Sequence, residues 1–562
     1  MTGVAGKKFL RILVIGLAVV LAAGTLAACK KDEAGQGKDY GKSEAVSVKY
    51  TERTAPVIEK AAEVTPTAEK FFVANVFSDN MVLQRDEYIR IWGTSKDAAG
   101  KVVCAEFMGL KGSAEVDAEG KWLITLDGTL SACNEKGNTL KVYGAKKTIE
   151  FKDVLVGDVY MVLGQSNAAL TVAEVLNGYT LAKAGYKVPF TKEQISDNDN
   201  IRILHSNTDD FAKKVSGSTT LAEDISRRKE NSWLLPTENE QALESSAIGY
   251  FFAKQLVEKT GNEIPVGILE CRQAATVLAA FMTPEIAEKF GADKLINNSY
   301  MADSVVGMQE SRVMYTQGIN PLMNFTISGI IWYQGESDAK EPLQEKYVEH
   351  FTALMEDYRG RINQNYKNFP ILIMEFSPCF SKAAGPAFID FGGVRANMGV
   401  IPSVLENSFF IPISDLWKDD LYADNLHPYG KYEVATRIVD TVMPMLYGSY
   451  SEGATLDNVS GPTYYGKEKI SDKEVKLTFA GVGDGLKTGD GGAPKGMQVQ
   501  TSEGWVTPEK VEFTGKSVVT VSHGTAFTAI RYHAITEETF PENINICSSS
   551  GVPMTAFKVD LE

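Results

Sequence analysis

Between about Phe71 and Lys152 the apolar positions alternate with polar ones in short runs, "YIRIW" (Tyr88 to Trp92), "KVVCAEF" (Lys101 to Phe107), "KWLITL" (Lys121 to Leu126) and "TLKVYG" (Thr139 to Gly144). Turn sequences such as "DAAG" and "DAEG" separate them, a pattern that predicts a small antiparallel β domain over residues 71–152. Near Val154 the pattern changes. Continuous apolar runs now recur: "VYMVLG", "PVGIL" (Pro265 to Leu269), "ISGIIWY" (Ile327 to Tyr333), "FPILIMEF" (Phe369 to Phe376) and "FFIPI" (Phe409 to Ile413). Strands without alternation suit a parallel sheet covered on both faces. In "QEKYVEHFTALMEDYRGRI" the residues Tyr347, Val348, Phe351, Leu354, Met355 and Tyr358 follow helical spacing, "SSAIGYFFAKQLVEKTG" has Ser245 or Ser246 as N-cap and Gly261 as stop, and a third helix is predicted from about Lys431 to Leu446. The region 153–450 is therefore read as an α/β domain, with residues from about 170 to 243 unassigned. Beyond it the alternation returns in "EVKLTF", "MQVQT", "SVVTVS" and "TAIRYHA", which predicts a second β domain over 451–562. The glycine-rich "GVGDGLKTGDGG" within it has no helix after it and reads as an exposed turn rather than a phosphate loop.

The N-terminus has a different character. Three basic residues (Lys7, Lys8, Arg11) precede an apolar stretch from Ile12 to Ala23 and then "LAAC", Leu26 to Cys29. This is the layout of a secretory signal, too short for a spanning helix, and "LAAC" resembles the lipobox of bacterial lipoproteins, which implies acylation of Cys29. Residues 29–70 are polar, with little periodicity, and read as a flexible tether. The expected location is outside the cytoplasm, on a bacterial cell surface or facing the periplasm, with the membrane as a partner through the lipid.

The formal charge is -15 over 562 residues; because the first 28 residues hold three basic residues and no acid, the chain without them carries -18. That argues against nucleic acid as a partner. The remaining cysteines (Cys104, Cys133, Cys271, Cys379, Cys547) are widely spaced; Cys104 and Cys133 are candidates to pair, but buried free thiols are the favoured reading. The five histidines are scattered, without CxxC, HxH or HExxH, which argues against a zinc site, and no metal is expected.

In a parallel sheet ligands bind beyond the carboxyl ends of the strands. Four features fall there: Ser166 in "LGQSN", "CRQAAT" (Cys271 to Thr276), "QGES" (Gln334 to Ser337) and "DNLH" (Asp424 to His427). Singly, a serine in such a loop is more often a cap, and a DxxH is common by chance. In order and together they offer a nucleophile, a base and its carboxylate. Pro428 disfavours helix at His427 and keeps it in the loop, so that Asp424 can hold Nδ1 and leave Nε2 for Ser166. The Gly-x-Ser-x-Gly elbow is absent, since Ala168 takes its last place.

With these residues in view, "GDVYMVLGQSN", "GIIWYQGESD" and "DNLHP" resemble the motifs of the sialate O-acetylesterase family, carbohydrate esterases of the SGNH hydrolase superfamily. "VFSDNMVLQRD", "AIRYHA" and "SGVPMTAFKVD" are similar to its flanking β regions. The resemblance implies an SGNH-hydrolase-like α/β sheet with N-terminal and C-terminal β-sandwich-like domains, and removal of O-acetyl groups from sialic acid or other glycans. It implies Ser166 as nucleophile, His427 as base and acid, Asp424 as its partner, and no metal or organic cofactor. Gln334 would be an oxyanion or positioning donor, Gly335 would line the site, and Glu336 would buttress the histidine or the serine loop; Gln165 and Asn167 would brace that loop. One departure stands out: where the family has a "GGT"-like turn, this chain has Ala274, Ala275 and Thr276, which preserves the amide donors but strains the turn if it needs positive φ. Deacetylation of xylan or another polysaccharide is an alternative, as is a glycan-binding lipoprotein with a decayed site.

Overall fold

A computed structural model describes residues 46–176, 195, 198–205, 233–236, 241–292, 312–339, 342–376, 391–416, 427–428, 430–533 and 544–561. At its centre is a mostly parallel sheet with eight strands among the described residues: β1 (Val82–Gln84), β2 (Leu155–Gly164), β3 (Ile201–His205), β4 (Trp233–Leu234), β5 (Val266–Arg272), β6 (Gly329–Tyr333), β7 (Ile371–Met374) and β8 (Ser408–Ile411). The order across the sheet is β4-β3-β5-β2-β6-β7-β8, with β1 paired to the start of β2 and β4 the antiparallel edge. All ten residues of β2 are buried, as a strand covered on both faces requires. Its register places Gly164 opposite Arg272 of β5 and Tyr333 of β6, so three neighbouring strands end at one level.

The helices that cover the sheet begin and end where their sequences dictate. A short helix, α1 (Ser166–Ala169), follows β2. In α2 (Ala247–Lys259), Ser246 is the N-cap, its side chain accepting from the Gly249 N–H at 3.3 Å, and the chain turns away at Gly261 with φ 61°. The Ser246 hydroxyl also donates to the Ala168 carbonyl at 2.7 Å, which ties α2 to α1. In α3 (Leu343–Arg361) the residues Tyr347, Phe351, Leu354, Met355 and Tyr358 form the buried face. A further helix, α4 (Gly392–Met398), packs on α3, and α5 (Lys431–Leu446) packs on α2.

Apart from β1, the strands between Phe71 and Phe151 form one three-stranded and one four-stranded antiparallel sheet. Their buried side chains are continuous with those of the α/β region in a single core, whereas the C-terminal strands, from Thr463 to Asp560, enclose a core of their own. In "GVGDGLKTGDGG" only Lys487–Thr488 is strand, and no helix follows among the described residues. The described cysteines Cys104, Cys133, Cys271 and Cys547 are free thiols.

Two features depart from the sequence reading. Residues 46–53 belong to the stretch read as a tether, yet they lie against the body: Val46 bridges to Ala480, the Thr51 N–H donates to Asn407 Oδ1 at 2.8 Å, and Arg53 donates to Asp158 and to Ser328, both at 2.9 Å. The unassigned region around 170–243 contributes β3 and β4. Its strand "IRILH" alternates, and it is accommodated because the buried Arg202 bonds Asp153 at 3.0 Å. Cys29 and Cys379 lie outside the described residues.

Candidate active site

Glycine ends β2 because nothing larger fits. Gly164 has φ 151°, and a Cβ there would lie 2.1 Å from the Tyr333 carbonyl oxygen. The chain then turns, the Gln165 N–H donating to that same oxygen at 3.1 Å, and α1 opens on a half-buried Ser166 between the buried side chains of Gln165 and Asn167. Gln165 Oε1 accepts from the Ser337 N–H at 3.1 Å and from Gln334 Nε2 at 3.3 Å. The serine turn and the "QGES" turn are thus clamped side by side. Among the described residues, no hydrogen bond forms at the Ser166 hydroxyl; such contacts often tighten only when substrate is bound.

Gln334 is committed at both ends of its amide. Nε2 donates to the Thr276 carbonyl at 3.0 Å and to Asp338 Oδ2, while Oε1 accepts from the Tyr347 hydroxyl at 2.9 Å. Two N–H protons cannot serve these acceptors and an oxyanion as well, so the geometry makes Gln334 a positioning residue. Burial pushes the Asp338 carboxyl up to about 7, against the hydrogen bonds from Gln334 and from the Leu278 N–H at 2.9 Å. Gly335, at φ 154°, brings the chain round to Glu336.

A buried polar chain crosses the site. Lys431 Nζ donates to Asn167 Oδ1 at 2.6 Å, and Asn167 Nδ2 donates to Glu336 Oε1 at 2.5 Å. Burial raises Glu336 to about 7 against that hydrogen bond and the Lys431 charge. Burial likewise lowers Lys431 to about 7, with Glu336 opposing. His427, half-buried in the bend before α5, is lowered to about 4 by burial and by the Lys431 charge, which favours the neutral imidazole that a base requires. Asp424 lies outside the described residues.

Facing these segments is the turn after β5. Arg272 fixes it by donating to the Ala169 and Glu244 carbonyls, both at 2.8 Å, and to Glu270 at 3.0 Å. The Gln273 N–H donates to the Gly164 carbonyl at 3.1 Å, and the Thr276 hydroxyl to the Gln273 carbonyl at 2.7 Å. Ala275 takes φ 57°, so the strained form of the turn is the one adopted, at a cost of about 1–2 kcal/mol. The N–H groups of Ala274 and Ala275 bond no described acceptor.

The structure therefore brings together Ser166, Gln165, Asn167, Gln334, Gly335 and Glu336, with His427 close enough to feel Lys431. The sequence reading missed Lys431, Asp338, Tyr347 and the anchoring role of Arg272. Lys431 had a signal: a cation at the first position of a helix opposes the helix dipole. A separate cavity of about 670 Å³, lined by residues such as Tyr50, Phe410 and Tyr464, includes none of these site residues.

Residues 156–397 match the model of a family described as carbohydrate esterase, sialic acid-specific acetylesterase. The chain is 25% identical to the sialate O-acetylesterase of Homo sapiens over 445 residues, covering 72% of this chain and 79% of that one, and 24% identical to the sialate O-acetylesterase of Pongo abelii over the same shares. In fold it is similar to a crystal structure of a carbohydrate acetylesterase from Xanthomonas citri, with a TM-score of 0.66 and 24% identity over 88% of this chain and all of that one.

Proposed function

We propose that the chain, whose residues 156–397 match the model of sialic acid-specific carbohydrate acetylesterases, cleaves O-acetyl groups from sialylated glycans through a covalent acetyl-serine. The observation that carries the reading is the level at which β2, β5 and β6 end, which sets Ser166 beside the "QGES" turn and opposite Ala274 and Ala275. In this reading Ser166 Oγ attacks the acetyl carbonyl as His427 takes its proton. The oxyanion is met by amide N–H groups of the serine turn and of Ala274 and Ala275, each donor worth about 10²–10³ in kcat. Collapse expels the sugar oxygen, which His427 protonates. Water, deprotonated by His427, then attacks the acetyl-serine and releases acetate. In the same reading Asp424, outside the described residues, is assigned to hold the imidazole by Nδ1. The chemistry draws on side chains and backbone amides alone.

Hydrolysis of a chromogenic acetyl ester is expected to vanish in Ser166→Ala and His427→Ala, and a fluorophosphonate probe is expected to label Ser166. A folded wild-type protein with neither turnover nor labelling would refute the serine mechanism. Acetate release from 9-O-acetylated sialoglycans, compared with acetylated xylan, tests the substrate: faster release from xylan would replace sialic acid with a plant polysaccharide. The N-terminal layout further supports export and a lipid anchor at Cys29; incorporation of a fatty-acid analogue that survives Cys29→Ala would refute it.

A further inference from the structure

Helix α5 opens on a lysine that is completely buried. Burial costs a charged group its hydration, and a cation in the first turn faces the positive end of the helix. Neither solvation nor helix formation accounts for Lys431. Its contacts do: Nζ donates to Asn167 Oδ1 and stands 4.7 Å from the centre of the Tyr333 ring, while the other end of the same amide donates to Glu336. An ammonium can only donate, and a carboxylate can only accept. Set on either side of Asn167, they allow one orientation of its amide and forbid the flipped one.

We propose that Lys431 is a positioning residue of the esterase site, locking the Asn167 amide so that the segments carrying Ser166, Glu336 and His427 hold one arrangement. The inference rests on the serine-esterase reading above. Three segments far apart in the chain meet through this one amide: Asn167 is next to Ser166, Glu336 follows the β6 strand end, and Lys431 lies four residues after His427. The charge of Lys431 has a second effect. Among the described residues it is the charge acting on His427, Glu336 acts in turn on Lys431, and Asp424 lies outside them. A cation beside an imidazole disfavours its protonation; without it, the inactive imidazolium persists to higher pH.

The test compares Lys431→Met, Lys431→Gln and Ser166→Ala in the full chain, by kcat and KM for a chromogenic acetyl ester across pH and by thermal unfolding. Lys431→Met is expected to lower kcat about tenfold or more with KM nearly constant, since small misplacements cost up to about 10². Its unfolding temperature should fall, because Asn167 Oδ1 loses its donor and the buried Glu336 its opposite charge, and Lys431→Gln, which keeps the donor, should restore part of it. The acid limb of kcat/KM should move to higher pH. Lys431→Gln keeps a donor without the charge, so it should recover part of kcat while the acid limb stays displaced. Wild-type kcat and pH profile in Lys431→Met would overturn the proposal, as would a loss of kcat matched by lost stability with Gln no better than Met. If Lys431→Met does not fold, Lys431→Gln decides: a displaced acid limb supports the proposal and a wild-type profile overturns it. Turnover surviving in Ser166→Ala would instead sink the serine reading itself.

Discussion

Alanine placed at Gly164 and, separately, at Gly335 puts the same methyl group at or just past the ends of two strands beside the serine turn, at nearly the same φ. Their φ angles are 151° and 154°, where a side chain is strained by about 1–3 kcal/mol, a cost common to both. The surroundings differ. A Cβ on Gly164 would lie 2.1 Å from the Tyr333 carbonyl oxygen and 2.7 Å from its carbon, both backbone of β6. A Cβ on Gly335 would lie 2.6 Å from Phe376 Cε1 and 2.9 Å from Met398 Sδ, side-chain rather than backbone atoms, the methionine being the more adaptable. The Tyr333 oxygen also accepts the Gln165 N–H, so it cannot withdraw without parting the serine turn from β6.

Overpacking adds about 1–3 kcal/mol, and a lost buried backbone hydrogen bond adds about 1 kcal/mol. The common strain cancels in the comparison, so Gly164→Ala is expected to cost about 2 kcal/mol or more beyond Gly335→Ala. Urea midpoints, converted with the measured m values, give the difference. Ester hydrolysis supplies a second readout: Gly164→Ala moves Ser166 away from Glu336, so its kcat should fall further at matched folded fraction. Equal costs, or a larger cost at Gly335, would refute the assignment of Tyr333 as an immovable neighbour.

Tyr347→Phe removes the hydroxyl that donates to Gln334 and accepts from Trp332 Nε1 at 3.0 Å, leaving two buried groups unpaired at about 1–3 kcal/mol each. Unfolding temperature and kcat should both drop; an unchanged kcat would show that Gln334 does not need this brace. Asp158 makes a pH prediction. Burial pushes its carboxyl up, but Arg53 and Arg85, with Ser328 and Gln84, hold it well below the carboxylate range. Its stabilisation is therefore present above the unfolded value of about 4 and is lost below it, at about 1.4 kcal/mol per pH unit. Between pH 4 and 2, Asp158→Asn should show a shallower loss of stability than wild type by that slope; equal slopes would refute the clamp.

The central sheet was legible because β2, β5, β6 and β7 are apolar without alternation, and a parallel sheet then implies which loops share an edge. Ser166, Gln334 to Glu336 and His427 followed from that single inference. The strand "IRILH" was not legible: its Arg202 reads as a surface residue until Asp153 is placed beside it. Lys431 showed only as a cation set against the dipole of its helix. A lysine after "HPYG" reads as a solvated charge, and the amide that explains it lies 264 residues earlier. Ala275 was legible as a departure from the family pattern, but its φ depends on how Arg272 and Gln273 fix the turn. Polar pairs distant in sequence leave no periodic trace, whereas apolar faces do.

That distinction bears on what the flanking β regions do for a site that neither contributes a reacting group to. Strand β2 is a single buried rod with Ser166 beyond one end and Asp158 near the other. At Asp158 it is gripped by Arg53 and Arg85, and the N-terminal sheets share its hydrophobic core, with the Trp233 indole donating to the Val76 carbonyl at 2.8 Å. The C-terminal region has its own core and reaches the opposite end through α4. Arg395 of that helix joins Glu375 to the His533 carbonyl, a Cβ on Gly399 would strike the Ala556 carbonyl at 1.6 Å, and Met398 lies against Gly335. One region thus fixes the foot of the serine strand and the other backs the turn that faces it. A site that keeps a lysine and a glutamate out of water needs such bracing, because any loosening that admits solvent lets the two charges separate and frees the amide between them.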